Sequence, residues 1–313
     1  MKFPWSKYIE IPSERRNTLQ VFITNVCNLR CEGCFARNIM GDPKEAHNII
    51  SIEEYRKAIY QFIDKGGKQV NLLGWEPLTH IHLPSLIHLN IIFGLKTTIY
   101  TNGYFLHNYE RDCRYYLDEY LKAPDEKIRP NETIRKGFRD VKMRVSLYSS
   151  DSEYKKISDI HTKNVPFEGN FMVSSKTTLD ELLDVARCLE EEFKTKVFFI
   201  SSLRELDNDR REFFDDTPLT MPILEYKELV HRFLDAYEGD MDIHVSNRGV
   251  FQSTLGCGYN KCRFSNYFVG GKMIQCPYDI VNLEYQDDYE FNKRYCQHNN
   301  TCMMTKVIYR KVR

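Results

Sequence analysis

The sequence predicts an α/β protein, a partial (β/α)6-type TIM barrel followed by a small C-terminal cysteine-rich module. The barrel is predicted because short apolar, β-branched segments alternate with amphipathic helical segments over residues 19–248, in six or seven units. The module is predicted because the helical period ends after residue 248, and Gly, Asn and Cys then dominate. We therefore expect an N-terminal extension at 1–18, the barrel at 19–248 and a cysteine-held domain at 249–313.

The barrel units follow one another along the chain. The first strand, LQVFITN, is apolar and β-branched, and SIEEYRKAIYQFIDKGG has a Ser-x-x-Glu start, a helical apolar period and a Gly stop. The charged, Tyr-rich segment 104–140 is predicted to be helical in part. The predicted strands are 19–25, 68–74, 95–103, 141–148, 167–175, 196–203 and 241–247, and the other predicted helices are 51–67, 82–94, 151–160, 178–194 and 222–240.

Composition and charge exclude several classes of function. Lys plus Arg and Asp plus Glu number 44 each, so there is no global electrostatic case for nucleic acid or an anionic membrane as partner. The N-terminus does not resemble a signal peptide, and no run of about eighteen apolar residues occurs. We therefore expect a cytoplasmic protein. In that reducing compartment, ten cysteines are predicted to ligate metal rather than to form disulfides.

Three cysteines, Cys27, Cys31 and Cys34, follow directly after the first predicted strand. The loops after the strands form the active face of a β/α barrel. Structural zinc and cubane iron–sulfur clusters normally take four protein ligands, so three local thiolates leave one metal position open, as catalytic sites do. A zinc knuckle or simple buried thiols is the alternative. The isolated Cys113 and Cys188 are expected to be ordinary buried thiols, with hydrogen-atom donation as the alternative.

The stretch CNLRCEGC resembles the C-x3-C-x2-C signature of the radical S-adenosylmethionine (radical SAM) enzymes. In that family the three thiolates hold a 4Fe–4S cluster, and the amino and carboxylate groups of S-adenosylmethionine (SAM) occupy the fourth iron. The resemblance implies that Cys27, Cys31 and Cys34 are catalytic metal ligands. It also implies an external one-electron reductant of the flavodoxin or ferredoxin type. Reductive cleavage of SAM would then yield a 5′-deoxyadenosyl radical that abstracts a substrate hydrogen.

Further motifs follow in the family's order. LLGWEPLTH resembles the Gly-Gly-Glu-Pro turn, in which Glu76 would contact the methionine amino group, with a helix-capping carboxylate as the alternative. TNG closes the third strand as in relatives, and RVSLY makes Ser146 a SAM contact or else a simple strand end. The SAM-binding residues that the resemblance implies are Phe35, Gly74, Trp75, Glu76, Pro77, Asn102, Ser146 and Asn170.

Two positions depart from the family's pattern. The family usually has an aromatic residue just before the third cysteine, whereas this chain has Gly33 there and Phe35 directly after Cys34. The second Gly of Gly-Gly-Glu-Pro is replaced by Trp75, whose indole would narrow the site or pack outward. Neither change removes a cluster ligand.

The last 57 residues hold five cysteines, of which the first three are spaced C-x4-C-x13-C. GGKMIQC is predicted to be a β-hairpin strand that returns a thiol to the same place. The pattern resembles the SPASM and Twitch extensions of radical SAM enzymes, which hold auxiliary iron–sulfur clusters. The alternative is a structural zinc ribbon. The resemblance implies one auxiliary 4Fe–4S cluster, with ligands Cys257, Cys262, Cys276 and either Cys296 or Cys302.

The substrate class is inferred from the resemblance. Relatives with such tails modify ribosomal peptides, mature sulfatases, oxidise aminocyclitols or rearrange a purine nucleotide. A fully coordinated auxiliary cluster favours electron transfer, and we expect the substrate to be a peptide or protein side chain. Only about eighteen residues precede the first strand, so a leader-binding domain is expected on a separate chain. The alternatives are a small-molecule dehydrogenase or cyclase, acting on an aminocyclitol or a nucleotide, and a non-catalytic iron–sulfur electron-transfer protein.

Overall fold

The structure is a computed structural model of the chain, and its secondary structure follows the predicted alternation. It describes residues 8–12, 18–31, 34, 49–64, 66–121, 132–148, 165–203, 205–207, 212–214, 218–246, 264–268, 272–274 and 306–311. The strands are β1 (Tyr8–Pro12), β2 (Thr18–Phe22), β3 (Gln69–Leu73), β4 (Lys96–Thr101), β5 (Lys142–Leu147), β6 (Phe167–Val173), β7 (Val197–Ser202), β8 (Glu205–Asp207), β9 (Glu212–Phe214), β10 (Asp242–Ser246), β11 (Phe264–Phe268), β12 (Lys272–Ile274) and β13 (Lys306–Lys311). The helices are α1 (Ile52–Asp64), α2 (Leu83–Ile92), α3 (Leu106–Leu121), α4 (Glu132–Arg139), α5 (Leu179–Glu191) and α6 (Ile223–Ala236).

Seven strands form a parallel sheet in the order β2-β3-β4-β5-β6-β7-β10, which follows their order in the chain. Helices connect successive strands: α1 and α2 follow β2 and β3, α3 and α4 follow β4, and α5 and α6 lead to β7 and β10. This succession of strand, helix and parallel strand confirms the predicted partial barrel. The predicted helix 151–160 lies outside the described residues.

The core lies between the parallel sheet and the helices. Strand β5 illustrates the alternation, because Met143, Val145 and Leu147 are buried whereas Arg144 and Ser146 are half-buried on the opposite face. The buried face packs against apolar stripes of the helices, and burying each large apolar side chain contributes about 1.5–3 kcal/mol. The opposite face is consequently left for polar side chains that line the inside of the barrel.

Both predicted flanking segments contribute strands to the same sheet. On one side β13 pairs antiparallel with β10 and with β1. On the other side β11 pairs parallel with β2, and β12 returns antiparallel to β11 as the hairpin that GGKMIQC predicts. Hydrogen-bonded strands therefore cross both predicted domain boundaries, and the division into three domains stays a prediction. Among the described helices, none combines the length and the apolar character that crossing a membrane requires.

Candidate active site

The three front cysteines lie on the loop that follows β2. Cys27, Cys31 and Cys34 are half-buried, and none of them forms a disulfide. The loop is held locally, because the Leu29 N–H donates to Cys27 Sγ (3.4 Å) and the Cys34 N–H donates to the Cys31 carbonyl (3.2 Å). All three lie at the carboxyl end of the first parallel strand, but among the described residues no three His, Cys, Asp or Glu side chains lie close enough together to hold a metal ion. Joint ligation of a cluster by these cysteines therefore stays a prediction.

The turn after β3 is packed directly against this loop. The Trp75 N–H donates to the Thr24 carbonyl (3.2 Å) and the Glu76 N–H to the Val26 carbonyl (3.0 Å), while Thr24 Oγ1 accepts from the Val26 N–H (3.0 Å). Gly74 has φ +132°, and a Cβ there would lie 2.6 Å from the Thr24 carbonyl oxygen. Glycine is therefore required where the two backbones meet.

Glu76 is fully buried and joins the turn to the end of β4. Its Oε1 accepts from the Leu78 N–H (2.9 Å) and from Thr101 Oγ1 (2.7 Å), and its Oε2 accepts from the Asn102 N–H (2.7 Å). The carboxylate caps the short 3-10 helix Pro77–Thr79, which is the capping role that the sequence left open. The predicted contact between Glu76 and the methionine amino group stays a prediction.

Asn102 completes the connection from β4 back to the cysteine loop. Its side-chain amide Nδ2 donates to Asn28 Oδ1 (2.8 Å) and to Cys27 Sγ (3.9 Å), and its Oδ1 accepts from the Tyr104 N–H (3.0 Å). Together with Glu76 it links the carboxyl ends of β2, β3 and β4. Three of the sequence-predicted residues, Cys27, Glu76 and Asn102, are thereby brought into one hydrogen-bonded arrangement.

The Cys27 thiol has an unusual electrostatic environment. Burial raises its pKa above the ordinary value, the Leu29 N–H lowers it, the Glu76 carboxylate and Cys34 raise it further, and the Asn102 amide lowers it. A thiolate ligand here consequently needs a bound cation to hold its charge. N–H groups aimed at sulfur are the contacts that tune thiolate ligands of iron–sulfur clusters. The two donors to Cys27 are of the kind that the implied cluster needs, while joint ligation by Cys27, Cys31 and Cys34 stays a prediction.

Ser146 and Asn170 lie next to each other further along the sheet. They are paired in register on β5 and β6, and both are half-buried on the face opposite the core. Ser201 Oγ on β7 donates to Asn170 Oδ1 (2.8 Å), and Asn170 Nδ2 donates to Met172 Sδ (3.3 Å). The second half of the sheet thus presents a neutral polar row.

An ion pair that the sequence did not reveal adjoins this row. Arg144 Nη2 lies 2.6 Å from Glu168 Oε2, and its Nη1 donates to Tyr100 Oη. The guanidinium also lies 3.7 Å from the ring centroid of Phe199, whose ring is 4.5 Å from that of His244. Burial alone would raise the pKa of Glu168, but the charge and hydrogen bonds of Arg144, together with those of Lys142, outweigh burial and lower it.

Several predicted residues have no part in this arrangement. Burial raises the pKa of Cys113 to about 12 and that of Cys188 to about 11, as expected for ordinary thiols that stay protonated. Thr24 and Thr101 were not named as site residues, although they lie within the quoted stretches LQVFITN and TNG, and that position was the available signal. The predicted site residues outside the described part of the chain are Phe35, Cys257, Cys262, Cys276, Cys296 and Cys302.

Comparison with known protein families and sequences agrees with the family that the cysteine and Glu-Pro motifs resemble. The family described as the radical SAM superfamily matches residues 21–217. A GTP 3′,8-cyclase of Peptoclostridium acidaminophilum is 33% identical over 103 residues, which is 32% of this chain and 31% of that protein. A GTP 3′,8-cyclase of Tolumonas auensis is 31% identical over 96 residues, 30% of this chain and 28% of that protein. The matched segment spans less than a third of these relatives' own length.

Solved structures share the fold over most of the chain. Streptococcus suis SuiB bound to its precursor peptide SuiA superposes with a TM-score of 0.59 at 15% identity, covering 89% of this chain and 66% of that chain. SuiB bound to S-adenosylmethionine has a TM-score of 0.55 at 15% identity, covering 89% of this chain and 68% of that one. At this identity the likeness concerns the fold, and it agrees with the partial barrel described above.

Proposed function

The chain belongs to the radical SAM superfamily and is an enzyme of that superfamily, and we propose that it cleaves SAM reductively in order to abstract a hydrogen atom from a peptide or protein side chain. Membership implies SAM and a 4Fe–4S cluster as cofactors. The observation that carries the proposal is the linkage of three strand ends, in which Glu76 and Asn102 hold the Cys27 loop against the turn after β3.

The cluster would be held by Cys27, Cys31 and Cys34. When bound, it supplies the electron that cleaves the SAM sulfonium and so yields the 5′-deoxyadenosyl radical. Asn102 orients Cys27 through its amide, and the Leu29 N–H directs a second donor to the same sulfur. These two contacts come from different strand ends, so they restrain the direction from which the thiolate reaches its metal.

SAM would lie along the ends of β3 to β6. Gly74 permits the close approach of the turn to the cysteine loop, and Trp75 and Pro77 belong to the same turn. Glu76 keeps that turn in place with its three accepted hydrogen bonds, and Asn102 follows it at the end of β4. The half-buried Ser146 and Asn170 supply the neutral polar groups in our proposal for the far end of the cofactor.

A peptide or protein side chain is the substrate class we propose. SuiB, whose fold resembles that of this chain, was solved with its precursor peptide, which motivates this choice. A nucleotide cyclase is the second candidate, because the matching curated sequences are GTP 3′,8-cyclases. Formation of 5′-deoxyadenosine with reductant and SAM tests the reaction class, and its stimulation by GTP or by synthetic peptides separates the two substrate classes.

Each outcome of that experiment is informative. Peptide-dependent hydrogen abstraction, seen as deuterium transfer from a labelled peptide into 5′-deoxyadenosine, supports the proposal. Stimulation by GTP with none by peptides would overturn the peptide assignment in favour of the cyclase. An iron-loaded protein that forms no 5′-deoxyadenosine under any condition would instead be an electron-transfer protein. An external flavodoxin- or ferredoxin-type reductant in a reducing, cytoplasmic setting belongs to the same proposal, with dithionite replacing it in the assay.

We also propose one auxiliary 4Fe–4S cluster in the C-terminal region. The pairing of Asn266 with Ile274 supports it, because Cys262 precedes β11 by two residues and Cys276 follows β12 by two residues. Both cysteines are therefore two residues in sequence from strands that pair with each other. In a Cys276→Ser variant we expect the iron content to fall while dithionite-driven SAM cleavage continues. Unchanged iron content would exclude Cys276 as a ligand.

A further inference from the structure

Four side chains of strands β6 and β7 form two neighbouring layers inside the barrel. In the pairing of the two strands, Asn170 lies opposite Phe199, and Met172 lies opposite Ser201. Asn170 and Met172 are half-buried, whereas Ser201 is only 7% exposed. Because both strands run in the same direction, the layer of Met172 and Ser201 is the one nearer to the carboxyl edge of the sheet.

The Asn170 side chain leans toward that edge. Its Oδ1 accepts from Ser201 Oγ (2.8 Å), and its Nδ2 donates to Met172 Sδ (3.3 Å). Both contacts are made with the layer nearer to the carboxyl edge rather than with Phe199, the register partner of Asn170. Since the active face of a β/α barrel is formed at the carboxyl ends of its strands, the amide is directed toward the face that also has the cysteine loop.

The layer on the other side of Asn170 is filled by packed groups. Phe199 is 3% exposed, and the Arg144 guanidinium lies 3.7 Å from its ring centroid. Glu168, which precedes Asn170 on the same face of β6, is bound to Arg144 at 2.6 Å. Among the described residues, these groups cover Asn170 from the amino-terminal side. A ligand therefore approaches the Asn170 amide from the carboxyl edge.

The two contacts of Asn170 also determine the orientation of its amide. A thioether sulfur has no hydrogen to donate, so the amide nitrogen faces Met172 and the amide oxygen faces the Ser201 hydroxyl. Sulfur is a weak acceptor, and an oxygen atom of a ligand forms a stronger hydrogen bond with the same N–H group. Ser201 thus keeps Asn170 in the orientation that offers a donor to the active face.

We propose that Ser201 is a positioning residue for SAM, because its hydroxyl holds the Asn170 amide with the N–H groups directed toward an oxygen atom of SAM. The inference rests on the proposed function, which places Asn170 beside SAM, and deepens it. SAM has oxygen acceptors in its carboxylate and in its ribose hydroxyls, and a neutral amide donor can bind either of them. Ser201 belongs to none of the sequence motifs, and the pairing of β6 with β7 is what brings it to Asn170.

Equilibrium dialysis of labelled SAM against the iron-loaded full chain, without reductant, tests this role. Ser201→Ala should weaken SAM binding by about fivefold, as expected for one misdirected hydrogen bond. Ser201→Thr keeps the hydroxyl and should bind SAM within about twofold of the unsubstituted chain. In an Asn170→Ala background, Ser201→Ala should have no further effect, because Ser201 acts through Asn170.

The matched control is Ser202→Ala. It removes the same hydroxyl from the next residue of β7, but Ser202 is fully buried on the opposite face, and its Oγ donates to the Leu203 carbonyl (3.3 Å). The SAM affinity of this variant should therefore be unchanged. Competition with L-methionine and with 5′-deoxyadenosine identifies the bonded oxygen, since only the fragment that carries it should lose affinity in Ser201→Ala.

The possible failures point to different parts of the argument. Equal losses in Ser201→Ala and Ser202→Ala, or a further loss in the Asn170→Ala background, would overturn the positioning role and leave the proposed function standing. Unchanged SAM affinity in Asn170→Ala would refute the placement of SAM beside Asn170 and the role of Ser201 with it. Weaker SAM binding without a loss for either fragment would exclude a contact with these oxygens. An iron-loaded, unsubstituted chain that binds no SAM would refute the proposed function itself.

Discussion

The two halves of the parallel sheet are joined in different ways. The carboxyl ends of β2, β3 and β4 are connected through backbone groups and through two side chains, Glu76 and Asn102. The cysteine loop, on which our proposed chemistry depends, belongs to this first half.

The second half consists of β5 to β7 with β10. The Leu203 N–H donates to the Val173 carbonyl (2.8 Å) where β6 and β7 end. The other contacts join side chains along the strands, Arg144 with Glu168 and Ser201 with Asn170.

This difference predicts which half of the sheet tolerates amino-acid substitutions better. In the first half, each removed group leaves buried backbone donors without a partner, and such losses are costly. In the second half, the Arg144–Glu168 and Ser201–Asn170 contacts join side chains that substitution can replace in pairs. We therefore expect the first half to be more sensitive than the second, and the following substitutions test this in order of decreasing effect.

Replacing any one of Cys27, Cys31 and Cys34 by Ala should reduce 5′-deoxyadenosine formation to background. Each change removes one of the three thiolates that would hold the cluster, while the strand ends keep their hydrogen bonds. Mass spectrometry of the product and iron analysis measure the effect. Cys188→Ala on α5 is the control and should keep both iron and product. Full activity in all three front variants would exclude the proposed cluster site.

Glu76→Ala should destabilise the protein by about 4 kcal/mol. Three donors, from Leu78, Thr101 and Asn102, would lose their acceptor in a buried place, at about 1–3 kcal/mol each. Urea unfolding gives the loss of stability, and equilibrium dialysis gives the accompanying loss of SAM affinity. Glu76→Gln is the control, since its carbonyl keeps one acceptor. A stability within about 1 kcal/mol of the parent would contradict the role of Glu76 as the joint between strand ends.

Arg144→Met should cost about 3 kcal/mol because it leaves the mostly buried Glu168 carboxylate with only the exposed Lys142 ammonium, at 3.4 Å, as a charged partner among the described residues. The double variant Arg144→Met, Glu168→Leu removes both charges and should recover most of that loss. Urea unfolding of the two variants compares them under one condition. If the double variant is as unstable as the single one, the second half does not tolerate paired replacement and the contrast between the halves fails.

Gly74→Ala should cost about 2 kcal/mol, because φ +132° is unfavourable for alanine and the new Cβ would meet the Thr24 carbonyl oxygen at 2.6 Å. Gly94→Ala is the matched control, since Gly94 also has positive φ, +66°, but nothing lies within 4 Å of its Cβ position. Thermal unfolding compares the two variants. Equal losses would mean that the close approach of the turn to the cysteine loop adds no constraint beyond backbone conformation.

The smallest expected effect is a change in acid stability. Because the pKa of Glu168 is lowered in the folded protein, its contribution to stability is present above the unfolded carboxyl pKa of about 4.3 and is lost as the pH falls through the folded value. Glu168→Gln should therefore flatten part of the acid limb of the stability curve below about pH 5. Urea midpoints measured from neutral to acidic pH report this. A parallel downward shift at every pH would show that titration of Glu168 contributes nothing.

Most of the fold could be predicted because each strand and each helix of the barrel has its own hydrophobic periodicity. The predicted strand 68–74 is observed as Gln69–Leu73, and the predicted helix 178–194 as Leu179–Glu191. Strands β1 and β13 were missed, and they pair with each other from opposite ends of the chain, with Tyr8 opposite Lys311. Local periodicity contains no information about a partner at that separation.

The candidate site also has one part that the sequence predicts and one part that it does not. Cys27, Glu76 and Asn102 belong to short motifs, each of which directly follows a predicted strand. Because parallel strands place their carboxyl ends at the same edge of the sheet, these three residues were expected to lie close together. Arg144 and Glu168 lie in two different strands and are 24 residues apart, and neither belongs to a recognisable motif.

The sequence by itself determined the order of the seven parallel strands and of most helices between them, the cysteine loop after the first of these strands and the Glu-Pro turn after the second. Periodicity and short motifs are properties of neighbouring residues, which is why they can be read without the fold. Only the tertiary structure decided that Glu76 is a buried joint with three donors, that Arg144 pairs with Glu168, and that the chain's two ends meet in one sheet. These features depend on distances between strands, which parallel packing sets and which no local pattern contains.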